Sequence, residues 1–138
     1  MKKVMFLGII GLGLLLPCSL LAQVREEWVA RYNGPDNFYD RATAIVVDSS
    51  GNILVTGTSW DRISYYDYAT VKYDSRGNQL WVARYSGPGN ADDLPIALVL
   101  DSSGNVYVTG ITAAGGGLYP DYATIKYDTN GNELWRRT

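Results

Sequence analysis

Histidine is absent from all 138 residues. The one cysteine, Cys18, and both methionines, Met1 and Met5, fall within residues 1–22, a stretch that reads as a removable leader. A mature chain without His, Cys or Met has no thiol nucleophile and no Ser-His-Asp triad. It also lacks the residues for a zinc finger, a disulfide framework or a haem ligated by His or Met. An excess of positive charge is missing too. Lys2 and Lys3 leave with the leader, so 10 of the 12 basic residues remain against 14 acidic ones. That balance of −4 disfavours nucleic acid as a partner. No cofactor is expected. What the chain does have is a 46% share of hydrophobic residues, enough to bury the core of one domain.

The leader has three parts. Lys2 and Lys3 are followed by the apolar and glycine run from Val4 to Leu16, then by Pro17 and the segment Ser19-Leu20-Leu21-Ala22 before Gln23. This is the layout of a secretory signal peptide cleaved after Ala22. The run barely reaches membrane-spanning length and contains Pro17, which argues against a permanent anchor. A lipoprotein reading would place the lipid on Cys18, but Pro17 before it is not the small residue such a site needs. The expected location is therefore outside the cell or on its surface, with no membrane contact once the leader is gone.

Everything after the leader is duplicated. Trp28-Val29-Ala30-Arg31-Tyr32 returns as Trp81-Val82-Ala83-Arg84-Tyr85, and Asp48-Ser49-Ser50-Gly51-Asn52 as Asp101-Ser102-Ser103-Gly104-Asn105, both 53 residues on. Asp67-Tyr68-Ala69-Thr70 returns as Asp121-Tyr122-Ala123-Thr124, 54 residues on. A shorter rhythm, D-x-x-G-N, starts at Asp48, Asp74, Asp101 and Asp128. Each copy separates two runs rich in Val, Ile, Leu, Tyr, Thr and Trp. Asp accepts a backbone N–H two residues on, and Gly takes the left-handed position that closes a hairpin. The structural turn residues are thus Asp48, Gly51, Asp74, Gly77, Asp101, Gly104, Asp128 and Gly131. A calcium loop would need further oxygen ligands at alternate positions, which these turns lack.

Four strands per repeat follow: residues 42–47, 53–58, 68–73 and 79–85, then 96–100, 106–112, 122–127 and 133–137. An additional N-terminal strand is expected over residues 27–32. The runs Ala44-Ile45-Val46-Val47 and Ala97-Leu98-Val99-Leu100 are continuously apolar, as in strands covered on both faces. The third and fourth strands alternate more, as nearer solvent. No helical period appears after Ala22. An all-β chain whose repeats are four-stranded antiparallel sheets matches β-propeller blades.

The segments from Ile45 to Gly57 and from Ala97 to Gly110, with D-Y-A-T-[VI]-K-Y-D and G-N-x-L-W, resemble the bacterial β-propeller repeat family SBBP. The resemblance covers nearly all of Trp28 to Trp135. It implies exported or surface proteins, often with many repeats and with no shared catalytic residue. The expected division is leader 1–22, N-terminal strand and link 23–40, first blade with its link 41–93 and second blade 94–138. Two blades fall short of the 4 to 8 or so of a closed propeller. The expected partners are therefore other blades, of a longer chain or of further copies that close a ring.

Three function classes remain. A carboxylate-based hydrolase would need an Asp or Glu pair, but most acidic residues recur with the repeat, whereas a catalytic pair need exist only once. The second class is a lectin-like binding module. Its ligand would meet the loop end opposite the D-x-x-G-N turns, where sequence is longer and less repeated. The candidate anchors there are Trp60, Tyr65, Tyr66 and Tyr119, and a surface glycan or cell-surface protein is the natural ligand. A weaker alternative is calcium at the repeated G-P-x-N-x-x-D, through Asn37, Asp40, Asn90 and Asp93, where local loop hydrogen bonding competes. The third class, a non-catalytic fragment of a larger surface scaffold or interaction protein, is the reading preferred from the sequence.

Overall fold

The computed structural model describes residues 24–113 and 120–138. The leader lies outside them, and so does the candidate Tyr119. Eight strands form among the described residues: β1 (Asp40–Val47), β2 (Ile53–Asp61), β3 (Tyr65–Tyr73), β4 (Gln79–Tyr85), β5 (Leu94–Leu100), β6 (Val106–Thr112), β7 (Asp121–Tyr127) and β8 (Glu133–Arg137). They build two four-stranded antiparallel sheets, each in chain order. These are the two blades implied by the repeat.

Each D-x-x-G-N turn closes as expected and more tightly than a bare turn. The Gly N–H donates to the Asp carbonyl at 2.9–3.1 Å, and each Gly has a φ near +80°. The Asp Oδ1 accepts the N–H groups two and four residues on, and Oδ2 accepts the side-chain amide of the closing Asn. Asp48 also meets Lys72 of β3 at 3.0 Å, and Asp101 meets Lys126 of β7 at 3.5 Å. The lysine of D-Y-A-T-[VI]-K-Y thus serves the aspartate of the preceding turn.

The core lies in the seam between the sheets. Residues paired across adjacent strands share a face, so the first sheet turns the row Val46, Leu54, Lys72 and Trp81 toward the second. We call that face its front. Leu54, Tyr68 and Tyr85 pack there against Leu98, Val108, Ala123, Ile125 and Tyr127 on the back of the second sheet. Tyr68 and Tyr85 meet edge to face at 5.2 Å, and the Tyr68 hydroxyl crosses the seam to donate to the Ile111 carbonyl. Strand β1 carries a bulge between Ala42 and Ala44, and β5 one between Pro95 and Ala97. Each brings main chain so close to Gly57 or Gly110 that a Cβ there would lie within 2.2 Å of a carbonyl oxygen.

Two expectations need correction. The segment over residues 27–32 forms no strand. It lies on the back of the first sheet, across its face rather than along an edge, and is anchored by side chains, Trp28 to the Ser75 carbonyl and Tyr32 to Arg84. The expected burial order also fails. In β1, Ile45 and Val47 are exposed, whereas β3 is almost wholly buried. Strand β3 has a neighbour on each side, while among the described residues the back of β1 has no second sheet upon it.

Candidate functional site at the loop end of the seam

The end of the sheets opposite the D-x-x-G-N turns is built by two links and the β2–β3 hairpin. Both links use G-P-x-N-x-x-D in one way. Asn37 and Asn90 take left-handed backbone, with φ of 52° and 44°. Asp40 accepts the Gly34 N–H at 2.8 Å, and Asp93 accepts the Gly87 N–H. Asp93 also receives the Thr112 hydroxyl at 2.6 Å, while its own N–H donates to the Tyr66 carbonyl. Asp93 therefore pins its link to both blades. Of the four calcium candidates, Asp40 and Asp93 are taken up by these local loop hydrogen bonds, and Asn37 accepts the Asn33 side-chain amide at 2.5 Å. Among the described residues, no three Asp, Glu, His or Cys side chains gather as metal ligands.

In the hairpin, Asp61 accepts the N–H of Ile63 at 2.8 Å, and that bond leads in lowering its carboxyl below the ordinary range. Behind it Arg84 ties several elements together. It donates to the Ser59 hydroxyl at 2.7 Å, to Asp67 at 3.0 Å and to the Tyr32 hydroxyl at 3.1 Å. Burial pulls its guanidinium down, but the bonds to Tyr32 and Asp67 outweigh this and push it up. Asp67 is buried and also receives the Ser64 hydroxyl at 2.8 Å, while its Oδ1 has no hydrogen-bond partner. A buried carboxylate already bonded to a guanidinium is an anchor rather than a general base.

The sequence candidates separate here. Trp60 and Tyr66 are cross-strand partners, but Trp60 packs on Phe38 at 4.7 Å between ring centroids. Tyr65 is exposed, has a φ of 65° and pairs with Asp61. Tyr66 alone of the described candidates lines the cavity of about 400 Å³ at the mouth of the seam. The other walls include Tyr39, Arg41 and Thr58 of the first blade and Leu94 and Pro95 of the second. The size suits a small ligand, and one guanidinium with two phenols and two threonines suits polar or anionic groups. Sequence reasoning missed Arg41. The available signal was a break in the repeat, since Leu94 stands 53 residues on from Arg41.

Comparison with known proteins finds a family model that matches part of the chain. Residues 27–63 match the beta-propeller repeat SBBP. The SBBP likeness is thus shown for those residues. The matched segment begins in the N-terminal segment and runs through β1 and β2, so it takes in the first two strands of the first blade. The chain is also 31% identical over 121 residues to an uncharacterized WD repeat-containing protein of Acanthamoeba polyphaga mimivirus. The alignment covers 75% of this chain and 8% of that protein.

Proposed function

We propose that this chain is an exported, non-catalytic propeller-repeat protein that acts as an interaction scaffold at the cell surface. The observation that carries this reading is the use made of its carboxylates. Asp48, Asp74, Asp101 and Asp128 hold turns, Asp40 and Asp93 hold links, and Asp67 holds Arg84, while apolar sheet faces remain open. Export rests on the leader. Fractionation of a bacterial host expressing the tagged full chain should find it in the periplasm or at the surface, with a mature N-terminus at Gln23 by mass spectrometry. An uncleaved chain in the cytosol would sink the export reading, and hydrolysis of a glycoside panel that is lost on replacing Asp92 would sink the non-catalytic one.

The seam cavity supports a second reading, a lectin-like module that takes a surface glycan or a polar segment of a cell-surface protein. Tyr66 and Arg41 carry it. A glycan array and a pull-down from envelope extract, run with wild type, Tyr66→Ala and Arg41→Ala, should show binding that both substitutions remove. Binding that survives both, or that follows the D-x-x-G-N turns instead, would place the ligand elsewhere.

A further inference from the structure

We propose that a second copy of this chain docks the front of its second blade onto the back of the first blade, and that the N-terminal arm (Trp28 to Tyr32) is the intramolecular competitor for that seat. The inference rests on the scaffold reading and names its partner. The duplication makes both halves of the seam available twice. The row Val46, Leu54, Lys72 and Trp81 on the front of the first blade returns as Val99, Tyr107, Lys126 and Trp135 on the front of the second, in the same cross-strand register. The back row Leu98, Val108 and Ile125, which receives the first of these fronts, has its counterpart in Ile45, Val55 and Val71.

Neither duplicate has its mate within the described residues. Val99 and Tyr122 on the open front are 58% and 74% exposed, and Ile45 and Val47 on the open back are 65% and 62% exposed. The open back holds a groove of about 500 Å³ whose walls include Ile45, Val55, Val71 and Tyr73. Continuity with the seam already formed identifies the occupant: the surface that fits a propeller-blade back is a propeller-blade front. Lys126 does not oppose this, because Asp101 and the Tyr107 ring hold it within its own blade.

The arm already takes part of that seat. Trp28 covers the turn at Gly77, and its indole N–H donates to the Ser75 carbonyl at 3.1 Å. Trp81 covers the turn at Gly131 and donates to the Thr129 carbonyl at 3.1 Å. Ala30 and Tyr32 border the groove in the places that Ala83 and Tyr85 take over the second blade. The arm thus imitates an outer strand without its ladder, so it can leave without breaking a sheet. Trp135 is the third tryptophan of the series and has no such turn to cap among the described residues. Docking would seat the second copy's Trp135 on Gly77 of this chain, in place of this chain's own Trp28. The contact is head-to-tail, so repetition yields a ring where the rotation closes and a filament where it does not.

The test is sedimentation velocity on protein purified after export of the full chain, from about 1 to about 100 μM, where exposed apolar surface drives association. Circular dichroism checks each variant for intact sheet. Wild type should associate as concentration rises. Trp135→Ala and Tyr122→Lys should each raise the midpoint by about tenfold or more, as expected for interface anchors. Trp28→Ala, which empties the seat, should lower it. Opposite signs for the two tryptophans separate a defined socket from a merely adhesive surface. A monomer at every concentration, for wild type and Trp28→Ala alike, would overturn the proposal, as would association that Trp135→Ala leaves unchanged. An exported monomer overturns the docking alone, whereas an associating chain retained in the cytosol overturns the export reading alone.

Discussion

Leu98 and Ile45 occupy the same place in the two blades, 53 residues apart, yet one is 5% exposed and the other 65%. The same contrast separates Leu100, packed against the core, from exposed Val47. Their strands read alike and twist alike. What differs is whether a second sheet lies upon them, so burial in a stacked fold is set by the neighbour and not by the strand's own pattern.

The contrast is most directly broken by trimming both positions. In dilute protein, Leu98→Ala should cost about 2–4 kcal/mol by urea denaturation, and Ile45→Ala no more than about 0.5 kcal/mol. Equal losses would mean that the back of the first blade is covered after all. The turns sharpen it next. Gly51→Val and Gly131→Val each place a side chain on left-handed backbone, at about 1–2 kcal/mol. At Gly131 the new Cβ also runs into the Trp81 ring, whereas Gly51 has nothing nearer than Ser75 at 3.9 Å. Thermal melting should therefore fall further for Gly131→Val. A reversed order would show that Trp81 does not hold the second blade's turn.

Acid should act on both blades alike. Hydrogen bonds from the Asn78 side chain and backbone hold Asp74 at about 2, and those of Asn105 do the same for Asp101. At Asp48 partial burial pulls upward but is outweighed by Asn52, Lys72 and the Ser50 N–H, again leaving about 2. Asp128 is lowered in the same sense, chiefly by Asn132. An unfolded aspartate titrates near 3.8, so between these values the unfolded chain binds more protons. The stabilisation is present in full above roughly pH 5 and is lost as pH falls toward 2. Urea midpoints that do not move over that window would refute the bonding assigned to the turns. The smallest expected difference lies between Lys72→Met and Lys126→Met. The Lys72–Asp48 pair is shorter and more buried than Lys126–Asp101, so the first substitution should lower the melting temperature more.

The strands and turns were legible because they rest on local chemistry. The alternation of apolar residues and the Asp-to-Gly geometry placed all eight strands within a few residues of their ends. What was not legible depends on chain brought in from elsewhere. Trp28 reads as a strand residue because its duplicate Trp81 is one, but a ladder also requires an adjacent edge. The partnership of Lys72 with Asp48 links residues on different strands, and only the register brings them together. At the loop end the aromatic candidates were chosen by type. Phe38 covers Trp60 while Tyr66 remains at the cavity, and composition does not separate those outcomes.

Connectivity has a kinetic consequence. Every strand pairs only with its neighbours in sequence, and short turns join most of them, so each blade can assemble from successive hairpins with little chain entropy lost per closure. Hairpins of this kind close in microseconds. The first blade is complete in sequence at Tyr85, so a chain that folds as it emerges can finish that sheet before the second has been delivered. The slow event is then the meeting of two preformed sheets across Tyr68 and Tyr85, and substitutions in that seam should retard folding more than substitutions in the hairpin turns do.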